Sequence, residues 1–229
     1  MSIVTTASFV GAYKISTDNF SGLSDYISLY EPMYLRDVLG DENADELNGM
    51  SPLTTKYDEL INGVTYTNES GYKKINKGLK TVLIAMIYFH YVADNFINTS
   101  VGNVRKANEN SDRLTAGENA QTCVTKHNLG AMLTESDIRP FLTNYNTIKE
   151  TASNSVDNAG EYTVSIASTK FLTAGDVIEI DGIEYTTTTV NEDVSVVFTT
   201  TAGLDFTGKE VKWQPFFGCN GNLIDIMTI

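Results

Sequence analysis

The chain has little of what usually betrays chemistry. Of its 229 residues, two are cysteines and two are histidines. Cys123 and Cys219 stand far apart and form no CxxC; two partly buried thiols in a reducing cytosol are expected, with a single disulfide as the alternative. His90 and His127 are also isolated, so neither an HExxH nor a Cys/His cluster is present and no zinc site is expected. No serine sits in a GxSxG, and no glycine pattern forms a phosphate-binding loop. Basic residues are scarce, 16 against 29 acidic ones, for a formal net charge of −13. Duplex DNA is held mainly by Lys and Arg on its phosphates, so such a chain repels DNA unless its few cations cluster. The longest apolar run, Leu79 to Val92, is shorter than the ~18 residues a membrane span needs and contains His90. The opening Met1-Ser-Ile-Val-Thr-Thr6 has neither a basic nor an apolar stretch, so no secretory signal is expected.

What is present suffices for a core. Hydrophobic residues make up 41% and charged residues 20%, a globular composition rather than a disordered one. Charge is distributed unevenly along the chain: net −7 over residues 1–67, +2 over 68–150 and −8 over 151–229. A nearly neutral middle third is flanked by two acidic segments.

The middle third carries the strongest helical pattern. Residues 20–40 read as one amphipathic helix or two short ones, with Leu23, Ile27 and Tyr30 at helical spacing, Ser21 or Ser24 as caps and Pro32 allowing a fresh start. Leu35, Val38 and Leu39 continue that stripe to Gly40, and Asp41 to Gly49 reads as an acidic loop or weak helix. Glu69 to Asn95 reads as a helix that becomes apolar on every side, the pattern of a buried bundle centre or a subunit interface. After a break at Asn98 to Gly102, a second long helix is expected from about Asn103 to Leu129. Its inward positions would be Val104, Ala107, Leu114, Cys123, Val124 and His127, with Gly130 ending or bending it. A further helical stretch reaches about Lys149, with Pro140 near its first turn.

From Asn154 the pattern changes. Asn154 to Gly160 has a linker's composition. Alternating β-rich runs follow at Tyr162–Ile166, Val177–Ile180, Ile183–Val190, Val194–Phe198 and Val211–Trp213. Asp181-Gly182 between two of them is a two-residue hairpin signal. Strands at this spacing predict a small β-sandwich or partly open barrel. The fold class is therefore α+β: a helical domain over 1–153, a β module over 154–213, and an apolar tail over 214–229 that packs back on the helical part.

The chemical candidates are weak. Asp41-Glu-Asn-Ala-Asp-Glu46 lacks the spacing of a calcium loop and reads as a solvated acidic surface. Asp176, Glu179, Asp181 and Glu184 crowd one hairpin; a solvated sheet edge is preferred there over a weak cation site. His90 reads as a satisfied core histidine, because a general base needs a nucleophile or an acidic orienter nearby. No catalytic residue, cofactor or metal is expected. The densest cationic group is Lys73, Lys74, Lys77 and Lys80, read as one side of a helix, followed by Arg105, Lys106 and Arg113. Capping of solvent-facing surfaces, or pairing with acidic flanks of a neighbouring subunit, is preferred to DNA binding.

Several segments resemble small structural proteins of tailed phages of Bacteroidetes, including the crAss-like group. They are Ile3-Val-Thr-Thr6 with Phe9 and Tyr13-Lys-Ile15, Leu23-Ser-Asp-Tyr-Ile27 through Pro32-Met-Tyr-Leu35 to Leu39-Gly40, and Tyr57-Asp-Glu-Leu-Ile-Asn-Gly63. Gly78-Leu-Lys80, Tyr88 to Asn95, Asn98-Thr99 and Glu109-Asn-Ser111 complete the set, which spans about 1–115. The resemblance is to head–tail connector or tail-ring components, similar in plan to the helical adaptors that form a ring, commonly of twelve copies, beneath the portal. It implies a virion part without catalytic residues, assembled in the host cytoplasm. Its partners would be further copies of itself, the portal, and other tail or collar proteins; genomic DNA would be passing cargo only, and no membrane is involved. Lys73, Lys74, Lys77, Lys80, Arg105 and Lys106 are the candidate inter-subunit residues. The residues 160–213 depart from a purely helical adaptor. The alternative reading is a tail accessory that binds host-surface carbohydrate through the β module; exposed aromatic residues there would favour it, with Tyr162, Tyr185 and Trp213 the ones to inspect.

Overall fold

A computed structural model describes residues 2–15, 22–49, 55–98 and 116–216 of the chain. Its described residues fall into two compact units, one drawn from Met1–Ser51 and Glu59–Phe141, the other from Pro52–Asp58 and Leu142–Cys219. The fold is α+β, with helices in the first unit and one curled antiparallel sheet in the second.

Helix α1 (Leu23–Leu39) is one continuous helix through Pro32. It starts from Gly22, whose φ of 84° no serine cap replaces, and stops at Gly40. Leu23, Ile27, Tyr34, Leu35 and Leu39 face the core, and Glu31 is buried among them. The Glu31 carboxylate accepts the backbone N–H groups of Ile3 and Val4, each at 2.8 Å, and so ties the N-terminal segment to α1. Residues 41–49 form α2 (Asp41–Gly49), with Asp41 and Glu42 at its dipole-positive end and Ala44 and Leu47 buried. After α3 (Thr55–Asn62) the chain turns back on itself in a hairpin of β1 (Val64–Thr67) and β2 (Lys73–Asn76). The helix expected from Glu69 therefore begins only at Leu79, as α4 (Leu79–Asn98).

Helix α4 is the centre of this unit. Leu79, Val82, Leu83, Ala85, Met86, Ile87, Tyr88, Tyr91 and Val92 are all buried, which accounts for a helix apolar on every side. It packs between α1 and α5 (Ala116–Leu133). Gly130 does not end α5, which runs on to Leu133: a Cβ there would lie 3.1 Å from Sδ of Met86, so glycine permits close approach to α4. Val124, expected inside, is 44% exposed, while His127 is half-buried against Phe89. The expected helix start at 103, with Val104, Ala107 and Leu114, lies outside the described residues. A π-helical turn (Thr134–Ile138) leads into α6 (Arg139–Asn144), where Pro140 occupies the first turn as expected. The helix ends there rather than at Lys149.

The second unit holds β3 (Ile148–Thr151), β4 (Asn154–Asn158), β5 (Glu161–Ser165), β6 (Val177–Ile180), β7 (Ile183–Asn191), β8 (Ser195–Thr199) and β9 (Glu210–Trp213). They form one seven-stranded sheet in the order β3-β9-β6-β7-β8-β5-β4. The sheet begins ahead of the boundary expected at 154, and the apparent linker at 154–160 is its edge strand β4 with the turn that follows. Alternation places Tyr162, Val164, Ile178, Ile180, Val196, Phe198, Val211 and Trp213 on the inner face, where they share one core with Tyr185 and Phe206. Asp181 and Gly182 take φ of 52° and 81°, as a two-residue hairpin turn requires. Phe216 is buried against Tyr57 and Phe171; the rest of the expected tail, from 217 onward, lies outside the described residues.

Candidate assembly surface

The β1–β2 hairpin is the most sharply built feature of the helical unit. Gly63 and Gly78 stand at its two feet with φ of 89° and 88°. A Cβ on Gly63 would lie 2.6 Å from the Asn76 carbonyl oxygen, and one on Gly78 would strike the backbone of Ile61. Only glycine lets the two chain segments cross this closely. Asn76, 2% exposed, locks the crossing: its amide donates to the Glu59 carbonyl at 3.1 Å, and its Oδ1 accepts the Gly78 N–H at 2.9 Å. At the far end Asn68 closes the turn, its Oδ1 accepting the Tyr72 N–H at 2.8 Å, while Gly71 takes a φ of 80°.

The hairpin is anchored on one side and bare on the other. Tyr66 points inward and meets the edge of Phe141 at 5.3 Å. Tyr72 and Ile75 are 69% and 63% exposed. Lys73, Lys74 and Lys77 are exposed and Lys80 is half-buried, and among the described residues none of the four is in an ion pair. The expected single helix side is thus corrected. Lys73 pairs across the hairpin with Thr67 and Lys74 with Tyr66, so the two alternate faces of β2; Lys77 lies in the connection, and only Lys80 is on α4. Helical spacing counted through this stretch missed the alternation of Val64-Thr-Tyr-Thr67 and the glycines that frame it. Arg105 and Lys106 lie outside the described residues.

A second bare surface runs along α1 and α2. Leu29 and Met33, four residues apart, are 64% and 43% exposed, and Asp37 is exposed one further turn on. Although Asp37 is exposed, partial desolvation pushes its carboxyl above the usual aspartate range. Asp41, Glu42 and Asp45 follow, and Arg36 supplies ion pairs to Asp41 at 3.6 Å and Asp45 at 3.1 Å. The surface is apolar at one end and acidic at the other.

Most of the remaining candidates have partners within the chain. His90 is half-buried, stacks on Tyr30 with centroids 3.9 Å apart, and shares a 2.6 Å hydrogen bond with the Tyr34 hydroxyl. Burial, then the neighbouring Tyr30 and Asp37, pushes the Tyr34 phenol up, so that side chain keeps its proton. Burial pushes His127 down. The acidic hairpin of the sheet is not an edge, because β6 and β7 both have strands on either side. Glu179 pairs with Lys212 at 3.2 Å and Asp181 with Lys209 at 2.6 Å, while Asp176 accepts the Thr173 N–H at 2.8 Å. No group of three or more metal-ligating side chains occurs among the described residues. A pocket of about 160 Å³ opens beside Glu179, Glu184 and Lys212, and the Glu179–Lys212 pair occupies its wall. Tyr162, Tyr185 and Trp213, the aromatics to inspect for stacking on sugar, are 0%, 8% and 2% exposed and are core residues.

These features define an α+β chain whose helical unit carries a glycine-clamped hairpin and an apolar-to-acidic helix face. Over residues 35–162, more than half its length, the chain matches the family described as "Family of unknown function (DUF6712)", and it belongs to that family. The matched span includes the hairpin, α4, α5 and the first strands of the sheet. No curated protein and no solved structure matches the chain.

Proposed function

We propose that the chain is a non-enzymatic structural subunit of a homo-oligomeric ring in the head–tail connector or tail of a double-stranded DNA phage. The ring joins the portal to the tail and lines the DNA path. The observation that carries this reading is the β1–β2 hairpin: a glycine-clamped arm bearing exposed Tyr72 and Ile75 and lysines that form no ion pair among the described residues. A monomer gains nothing from fixing such side chains in water, whereas an assembling subunit covers them. The resemblance of the segments within 1–115 to connector and tail-ring proteins supports the same reading, and so does the net charge of −13, which keeps a DNA channel from holding its cargo.

The test is the mass of the purified full-length protein, alone and mixed with portal, by light scattering on a sizing column. The expected result is a species several times heavier than the 25.1 kDa chain in at least one sample. A monomer in both overturns the ring.

A further inference from the structure

We infer that the hairpin of one copy seats on the α1–α2 face of a second copy of this chain. The inference rests on the self-assembly reading above and names the two surfaces that meet. Each has the same two-part make-up with opposite charge. The bare face of the hairpin sets exposed Ile75 beside Lys73, with exposed Lys77 two residues further on and exposed Tyr72 by the turn; the helix face sets exposed Leu29 and Met33 beside Asp37, Asp41, Glu42 and Asp45. Apolar side chains meeting apolar ones, with lysines meeting carboxylates, cover both surfaces at once. Both belong to the helical unit and both are exposed among the described residues, so each can meet its counterpart on a neighbour.

The surfaces are unlike, so the contact is heterologous: every copy offers a hairpin to one neighbour and a helix face to the next. The acidic side keeps charge to spare. Arg36 offsets part of Asp41 and Asp45, whereas neither Asp37 nor Glu42 has an ion-pair partner among the described residues. Those two are the carboxylates to reverse, because the internal Arg36 pairs then stay intact.

Two full-length variants test the contact, Lys73→Glu/Lys77→Glu on the hairpin and Asp37→Lys/Glu42→Lys on the helix face. Each alone should lose at least about tenfold in association constant, since like charges across an interface cost over 1.4 kcal/mol. Mixed in equal amounts, the two variants should assemble again to near the wild-type level, because each reversed hairpin then meets a reversed helix face. That recovery also shows that both variants fold. Assembly of either variant alone at the wild-type level overturns the inference, and so does failure of the mixture when both variants melt like the wild type. The unmodified protein supplies a measurement independent of folding defects: raising salt from about 0.1 M to 1 M shortens the screening length from about 10 Å to 3 Å and should weaken association several-fold. A salt-insensitive mass overturns the inference. Wild-type protein that never assembles, with or without portal, instead overturns the ring itself.

Discussion

The sheet and the β1–β2 hairpin treat their positive charge in opposite ways. In the sheet unit Lys149 pairs with Glu210, Lys209 with Asp181, and Lys212 with both Glu179 and Glu210, while Lys170 lies over the rings of Tyr145 and Phe171. On the helical unit's hairpin, Lys73, Lys74 and Lys77 lie exposed with no ion pair among the described residues. The difference follows from register. Lys212 faces Glu179 directly across β9 and β6, so the sheet's pairing brings opposite charges together at no further cost in chain order. On the hairpin the cross-strand neighbours of Lys73 and Lys74 are Thr67 and Tyr66, which cannot neutralise them. The sheet pairs these lysines with its own carboxylates, and the hairpin's lysines form no ion pair among the described residues.

Four substitutions probe this contrast. The largest effect is expected in the sheet core, where Phe198 is 0% exposed and packs on Tyr162, Tyr185 and Phe206. Phe198→Ala should cost about 3–5 kcal/mol. Trp213 is the chain's one tryptophan and lies in that core, so its fluorescence in a urea titration reads the loss directly. Next comes Gly78→Ala, which forces a side chain onto a positive φ and into the backbone of Ile61. A cost of about 3 kcal/mol is expected, read by helical dichroism in urea, with the hairpin's assembly lost as well. Glu31→Gln replaces one of two accepting oxygens with an amide donor and leaves a buried N–H of Ile3 or Val4 unmatched. About 2 kcal/mol should be lost, together with faster amide exchange at those two positions.

The smallest effect is one of pH. The Gly160 N–H, then the Gly203 N–H, holds the Asp157 carboxyl below the usual aspartate range. Such a group adds stability that is fully present above the unfolded-state pKa and disappears as pH falls through the lower folded value. Asp157→Asn should therefore flatten the acid limb of the sheet's stability curve and leave the neutral plateau little changed. A limb of unchanged steepness would mean that other carboxylates govern it.

Much of the sheet was legible in advance because its pattern is two-sided. Val177 to Ile180 and Ile183 to Val190 alternate around Asp181-Gly182, and the alternation arises from the same inner-face core that buries Ile178, Ile180 and Tyr185. The buried centre of the helical unit was equally plain in Leu79 to Val92. Strand β4 was hidden because it is an edge with almost no buried residue, so its Asn, Ser and Asp are tuned to water and look like a linker. The hairpin was hidden for a different reason. Its strands have four residues each, too few for period alone to outweigh a helical neighbour, and one inward residue, Tyr66, anchors β1. Whether Tyr162 and Trp213 face solvent or a core was not legible, because Tyr and Trp read alike in either place; the Tyr162 hydroxyl accepts the Leu204 N–H, and the Trp213 N–H donates to the Lys170 carbonyl.

The crossing of Gly63 and Gly78 has one more consequence. Because the chain enters and leaves the hairpin at a single closed point, residues 64–77 behave as a cassette whose length is invisible to α3 and α4. Lengthening a connection whose ends already touch costs little chain entropy. Related chains can therefore exchange longer, shorter or differently charged tips at this place while the helices keep their packing. For protein engineering it is the natural graft site, where a tag or a foreign recognition loop can be carried at the tip of the arm.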